Sequence, residues 1–390
     1  MKTRLLFLIS RFLDGGIDTI LTEYLCNIPL DRYDVTLAIG TAMDELEVHR
    51  ARLPEGVRVE YLVDAPALTH WRKEKIRRRI PSWAKIYDEL IINPIRSAIA
   101  RRRLRRLVGG ADAVIDFDAT FYTSLKRCPV PVVGFYHFSI EENLRRSRRH
   151  TLRQMHGMAN YAHIVLISNV MVEEGKRLFP ELAAKFVRIY NGYNFADLRR
   201  RGEAEPKVPV KRPYFVAVER LEESQKDVST LLRAFAMARR EAGGTFPGLV
   251  IVGTGRDEAK LRRLAAELNI DDTTLFTGFQ SDAAPYIYRS EALVLASKYE
   301  GFGLVLVEAM VLGRPVVASD CPSGPAEVLD GGRAGILVPV GDVDALASAL
   351  SRLASDPALR ERLAEASAAR AKAFDIHESV NQLLELCRPK

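Results

Sequence analysis

Short runs of Val, Ile, Leu, Ala and Phe recur along the whole chain and alternate with longer segments whose apolar residues fall at helical spacing. A strand that is apolar at nearly every position is buried on both faces. A parallel sheet covered by helices on both sides offers that burial to many strands at once. Candidate strands lie at 4–9, 34–39, 57–62, 113–115, 130–135 and 164–168, then at 214–218, 248–252, 274–276, 292–296 and 315–318. The fold class predicted is α/β, with two Rossmann-like domains. Between the two series, around 190–210, the stretch NGYNFADLRRRGEAEPKVPVKRP loses apolar periodicity and gathers prolines, which marks a hinge. Domains are therefore expected at 1–195 and 205–374, in keeping with a length of 390 residues. A helical segment at 342–372 closes the second series.

Several function classes are excluded early. LLFLIS near the start is closed by Arg11, without a small-residue cleavage site behind it, and reads as a first buried strand rather than a signal peptide. No apolar run approaches the ~18 residues that cross a bilayer. Cys26, Cys128, Cys321 and Cys387 are far apart, without CxxC or a nearby histidine pair, so neither a zinc site nor a disulfide framework is expected. His150, His156 and His163 follow a basic cluster without metal-ligand context and are assigned no role. A reducing cytoplasm fits this composition.

The stretch 297–329, SKYEGFGLVLVEAMVLGRPVVASDCPSGPAEVL, carries the chemistry. Two carboxylates, Glu300 and Glu308, flank a glycine turn that lies between the buried strand and a helix expected over 304–312. The first N–H groups of a helix lack partners inside it and sit at the positive end of its dipole, so GFG is placed to bind an anion. Gly301 and Gly303 allow close approach. Glu300 can face the ligand, and Glu308, about two helical turns beyond, can accept hydrogen bonds from a pair of hydroxyls. A polyhydroxylated phosphate ester suits such a place.

Glu300-x7-Glu308 with its GFG, followed by GRPVVASD and CPSGPAEVL, resembles the donor-site signature of the retaining GT-B glycosyltransferases of family 4. That resemblance implies two Rossmann-like domains facing each other across a cleft, with residues 375–390 returning to pack on the first. It implies that Glu308 holds the ribose of a nucleotide, that Glu300 lies beside the sugar, and that the amides of Gly301, Phe302, Gly303 and Leu304 meet donor hydroxyls and phosphate. In YFVAVERLEESQKD, Arg220 and Lys226 match the family's paired cations at the diphosphate, where charge on the leaving nucleotide must be stabilised. Two departures stand there: Glu219 replaces the common Gly before the Arg, and Asp227 follows Lys226 where Gly is frequent. Gly253 and Gly255 of IVGTGRDEAKL are implied to lie by the donor, and the Phe279 to Gln280 backbone to read uracil, which favours UDP over GDP. Gly15 and Gly16, after the first strand, match a loop that approaches the donor phosphate. His137, at a strand end, matches a histidine that donates a hydrogen bond to the transferred sugar. Asp116 and Asp118, at another strand end, are candidates to orient the acceptor hydroxyl. No cofactor and no metal are expected, with the UDP-sugar as substrate.

The charge distribution bears on the acceptor. Of the net +7, residues 1–205 hold 34 Lys and Arg against 25 Asp and Glu, while the rest is slightly acidic. Residues 70–106 concentrate 13 Lys and Arg against three acids, interleaved with Trp71, Ile76, Ile80, Trp83, Ile86, Leu90, Ile91 and Ile95. Amphipathic helices with basic edges lie well in an anionic membrane interface. RRSRRHTLR at 145–153 extends the same charge. No nucleic-acid motif accompanies it, so nucleic acid is not an expected partner. The expected activity is transfer of a hexose or N-acetylhexosamine from a UDP-sugar to a lipid-linked glycan in bacterial surface polysaccharide or lipopolysaccharide synthesis, by a protein peripheral on the inner face of the cytoplasmic membrane. The alternatives are a non-catalytic nucleotide-sugar-binding partner and a GT-B-fold UDP-sugar epimerase.

Overall fold

The computed structural model describes residues 2–77 and 80–388. The chain forms two compact units, one running to Tyr190 and resumed from Ile376, the other Asn191–Asp375.

The first unit holds a seven-stranded sheet of β1 (Thr3–Ile9), β2 (Tyr33–Ile39), β3 (Arg58–Tyr61), β4 (Ala113–Asp116), β5 (Val132–Tyr136), β6 (His163–Leu166) and β7 (Phe186–Arg188). Its order is β3-β2-β1-β4-β5-β6-β7, with every pair parallel. The second unit holds six strands, β8 (Tyr214–Val218), β9 (Gly248–Val252), β10 (Thr274–Gly278), β11 (Ala292–Leu295), β12 (Val316–Ser319) and β13 (Ile336–Val338). These too are all parallel, in the order β10-β9-β8-β11-β12-β13. Central strands such as β4, β11 and β12 are buried at every position, as their unbroken apolar runs require. In each sheet the strand order reverses once, between β1 and β4 and between β8 and β11. Ligands of open parallel sheets bind at the carboxyl ends of strands beside such a reversal.

The structure amends the expected elements in particular places. The three-residue edge strands β7 and β13 were not expected, because so short a run carries no periodic signal. The segment 342–372 is two helices, Val343–Ser355 and Pro357–Ala371, since Pro357 lacks the N–H that would continue the first. Asp356 caps the second by accepting from the Leu359 N–H. The second unit begins at Asn191 rather than 205, because the expected hinge contains a helix, Phe195–Glu203, that packs on that unit. Leu198 is buried, Arg201 pairs with Asp282 at 2.8 Å, and Arg289 donates to the Gly202 carbonyl.

Residues 82–108 form a run of helix, Ser82–Tyr87 and Asn93–Val108, joined by a π-type turn at Asp88–Ile92. Pro94 explains the turn: it has no N–H for the preceding turn's carbonyls, and the backbone widens to accommodate it.

Candidate functional site

Within the second unit, the carboxyl ends of β8 and β11 bring two of the predicted residues into direct contact. After β8 the backbone folds tightly, the Lys226 N–H donating to the Glu222 carbonyl at 2.8 Å, and this loop is tied to the end of β11 by the Lys298 N–H on the Gln225 carbonyl at 2.7 Å. Lys226 Nζ thereby lies 2.5 Å from Glu300 Oε1. The same oxygen accepts from Ser297 Oγ at 2.6 Å. Glu300 is only 9% exposed. Burial alone would lower the Lys226 pKa, but Glu300 and Glu219 hold it above the usual lysine value, so the ammonium stays charged.

Asp227, next in sequence, has a left-handed φ of 51° and starts the helix Val228–Ala242. That conformation accounts for a glycine preference at this position, and an Asp tolerates it better than most side chains. Lys298 pairs with the Asp227 carboxylate at 3.1 Å. Arg220 is exposed, unlike Lys226.

The glycine turn has the expected form. Gly303 has φ 82° and leads into the helix Leu304–Val311, so the turn does sit at a helix N-terminus. Because the helix begins at Leu304, Glu308 stands about one turn in, closer to its start than spacing from Glu300 suggests. Tyr193 Oη donates to Glu308 Oε1 at 2.5 Å, from a fully buried ring. The CPSGP loop closes on the turn from the other side. Ser323 Oγ donates to the Glu300 carbonyl at 2.7 Å, and a Cβ on Gly324 would lie 2.6 Å from the Phe302 carbonyl oxygen. Phe302 itself is buried, edge-on to Phe374, so only its backbone is suited to meet a ligand.

Gly253 and Gly255 have a packing role of their own. A Cβ at Gly253 would fall 2.0 Å from the Glu219 carbonyl oxygen, and one at Gly255 would fall 2.2 Å from that of Leu221. These glycines let the β9 loop cross the loop after β8, and that close packing requires them without any ligand. Phe279 is half exposed and Gln280 half buried, its amide bonded to the Thr277 carbonyl.

In the first unit, His137 is buried with Nε2 2.7 Å from the Phe117 carbonyl. Burial lowers its pKa to about 4, although that carbonyl opposes the shift. A carbonyl only accepts, so Nε2 carries the proton and Nδ1 is left as an acceptor. The expected hydrogen bond from His137 to a sugar is therefore corrected: the neutral ring is suited to accept a hydroxyl proton, not to give one. Asp116 is wholly buried, and its oxygens accept from Tyr161 Oη at 2.6 Å and from the N–H groups of Thr120 and Phe121. It anchors the loop after β4, which corrects its candidacy at an acceptor. Asp118 joins β1 to that loop, accepting from the Ser10 N–H at 2.8 Å. The Gly15 N–H donates to Asp18 at 2.9 Å just before the helix Gly16–Asn27, so Asp18, not an outside phosphate, holds that amide.

Three contributors escaped sequence reasoning: Ser297, Ser323 and Tyr193. Ser297 had a faint signal, three residues before Glu300 at the same strand end. Tyr193 had none, being 115 residues from its partner.

A strand-end cation against a carboxylate, beside a glycine-started helix at a sheet's reversal point, lies where doubly wound folds bind their ligands. Comparison with known proteins bears on the class. Residues 199–370 match the family described as glycosyl transferases group 1. Over 184 residues, 47% of this chain and 49% of the relative, the sequence is 32% identical to the N-acetylgalactosamine-N,N'-diacetylbacillosaminyl-diphospho-undecaprenol 4-alpha-N-acetylgalactosaminyltransferase of Campylobacter jejuni. Over 164 residues, 42% of the chain and 45% of the relative, it is 30% identical to a lipopolysaccharide core biosynthesis glycosyltransferase of Rhizobium meliloti. The matched segment spans about half the length of these relatives. The fold is similar to that of Anabaena HepE, solved in complex with UDP and glucose, with a TM-score of 0.74 at 18% identity over 98% of both chains. The chain has the GT-B fold, and residues 199–370 carry its likeness to the group 1 glycosyltransferases.

Proposed function

We propose that the protein is a glycosyltransferase that moves a hexose or N-acetylhexosamine from a UDP-sugar to a lipid-linked glycan in bacterial surface polysaccharide or lipopolysaccharide synthesis, retaining the anomeric configuration without a metal. The observation that carries this reading is the buried Lys226–Glu300 pair at the carboxyl ends of β8 and β11, beside the Gly303 turn. Lys226 supplies a fixed positive charge where the leaving diphosphate develops negative charge, and Glu308, oriented by Tyr193, accepts from ribose hydroxyls. Attack from the face on which UDP departs needs no protein nucleophile, since a phosphate oxygen can take the acceptor's proton. The chain's work is then positioning and electrostatic stabilisation. The C. jejuni relative, whose name specifies a diphospho-undecaprenol acceptor, and the R. meliloti relative of lipopolysaccharide core synthesis support the acceptor class.

The test is UDP release from a panel of UDP-hexoses and UDP-N-acetylhexosamines, with and without bacterial lipid extract, following labelled sugar into the lipid phase. Lipid-dependent release with label transfer from one donor is the expected result. UDP binding without turnover on any acceptor would indicate a binding partner, and interconversion of UDP-sugars without net UDP release an epimerase.

The acceptor side of the proposal includes an anionic membrane surface. Trp83, Ile86, Leu90, Ile91 and Ile95 are each between 48% and 69% exposed on the run 82–108, and Arg101, Arg102, Arg105 and Arg106 are exposed further along it. Not all of the basic segment is available: Ile80 is buried, and Arg96 is buried on Asp88 and the Leu68 carbonyl. Arg103 is bonded to Asp64 and the Tyr61 carbonyl. Arg78 and Arg79, part of the expected basic edge, lie outside the described residues. Among the described residues no helix is long and apolar enough to cross a membrane. Trp83→Ala with Leu90→Ala is expected to weaken binding to phosphatidylglycerol-containing vesicles by about tenfold or more, from the apolar area each side chain buries. Replacing Arg101, Arg102, Arg105 and Arg106 by Gln should weaken it most at low salt, each cation contributing about 1 kcal/mol near such a surface. Vesicle co-sedimentation unchanged in both variants would sink the membrane reading.

A further inference from the structure

Glu219 is the one element of this site that neither the fold nor the packing explains. It follows β8 directly, is 7% exposed, and neither of its carboxyl oxygens has a hydrogen-bond partner. A buried polar group without a partner is costly, and natural structures keep few of them. Its N–H donates to the Val252 carbonyl at 3.0 Å and its carbonyl lies against Gly253, so its backbone is held by the packing of the two loops. An apolar residue or the glycine expected here would fit without that cost.

The charges around it are mixed. Lys226 and Glu300 both act on it, as do Glu223 and Asp227 from the same loop. Glu223 accepts from the Ser229 N–H, and Asp227 is paired with Lys298. Cys321, from the CPSGP loop, acts on Lys226 and feels Glu300. Arg220 follows in sequence and Asp257 accepts from the Glu223 N–H. Lys226 is already matched by Glu300, so Glu219 is not needed to neutralise it.

We propose that Glu219 is a donor-binding residue that enters the complex as the neutral acid and hydrogen-bonds, through its acid proton, the nucleotide diphosphate beside Lys226. The inference rests on the reading of Lys226 as a diphosphate-binding residue. A carboxylate next to a diphosphate repels it; a carboxylic acid in the same place supplies a donor that points at a phosphate oxygen. Burial, with Lys226 opposing and the neighbouring acids assisting, raises the Glu219 pKa to about 8, so the free protein near neutrality already carries the required proton. Above that pH the protein must take one proton from solvent for each nucleotide bound.

The measurement is the affinity for UDP, and in parallel GDP, from pH 6.5 to 9, for the wild type and Glu219→Gln, which mimics the acid in shape and hydrogen-bonding capacity. The nucleotide's own phosphate titration is common to both proteins, so the difference between the curves belongs to residue 219. The wild type is expected to lose about tenfold in affinity relative to Glu219→Gln by pH 9, the penalty for protonating a group of pKa about 8 one unit above it. Calorimetry of the wild type at pH 8.5 in two buffers of different ionisation heat should show net proton uptake on binding, a readout that does not depend on the variant folding. Parallel pH curves, or no proton uptake, would overturn the assignment while leaving the nucleotide site standing if Lys226→Ala abolishes binding. Failure of the folded wild type to bind either nucleotide at any pH overturns both.

Discussion

Lys226→Ala is expected to reduce sugar transfer by about a thousandfold, the range found when one well-placed donor to a developing oxyanion is removed. Two effects add. The leaving diphosphate loses its buried counter-charge, and Glu300, 2.5 Å from the missing ammonium, is left as a buried carboxylate without its ion pair. Glu219, whose pKa Lys226 holds down, then keeps its proton more readily, which further changes the local field. The pair should be intact through the working range: a Lys whose folded pKa is raised contributes stability below its unfolded value, lost only as pH climbs through the folded one. Lys226→Arg should recover part of the activity, since it restores charge but not the compact ammonium geometry. Initial rates of UDP release, with thermal melting as a control for folding, decide the matter. Rates equal to the wild type would remove Lys226 from the site.

Gly253→Ala is expected to destabilise the second unit by about 3 kcal/mol or more, which for a unit of this size lowers its melting temperature by about 10 °C. The backbone there has φ 135°, a region that L side chains rarely adopt, and the new Cβ would lie 2.0 Å from the Glu219 carbonyl oxygen. Relief requires the β8 loop to move, and with it Lys226, so nucleotide affinity should fall together with stability. Gly243→Ala is the control. It also has a positive φ, of 59°, in the left-handed helical region, but nothing lies within 4 Å of its Cβ, so it reports the cost of a positive φ without a collision. Differential scanning calorimetry of the two variants separates these contributions. Equal melting temperatures would show that the β9 loop yields without cost.

Glu219 also gives stability a dependence on pH. An acid whose folded pKa lies above its unfolded value adds stability at low pH that is lost as pH rises from about 4.5 through about 8. The wild type should therefore melt progressively lower across that interval, and Glu219→Gln should flatten the curve.

What was legible in the sequence follows from the physics of local pattern. The unbroken apolar runs dictated parallel strands, and 214–218 and 248–252 match β8 and β9 residue for residue. The glycine turn was legible because the apolar run of β11 gives way at GFG to helical spacing, and Gly303 takes a φ of 82° there. Glu300 and Lys226 were legible as candidates by motif, yet their contact was not, since they are 74 residues apart.

The rest was decided by tertiary structure. Gly253 and Gly255 carry the same letters whether or not a neighbouring loop needs the space, and only the close crossing by Glu219 and Leu221 shows that one does. His137 looked like a donor until the Phe117 carbonyl claimed its proton, and Asp116 looked available until Tyr161 and two amides filled its oxygens. By itself the sequence determined the strand–helix alternation, the glycine turn and which charged residues stand at strand ends, because these depend on neighbours along the chain. Only the three-dimensional arrangement decided which of those charges are paired, which are spent on backbone and which, like Glu219, are buried with nothing to bind, because partners, burial and proton affinity are set by residues distant in sequence.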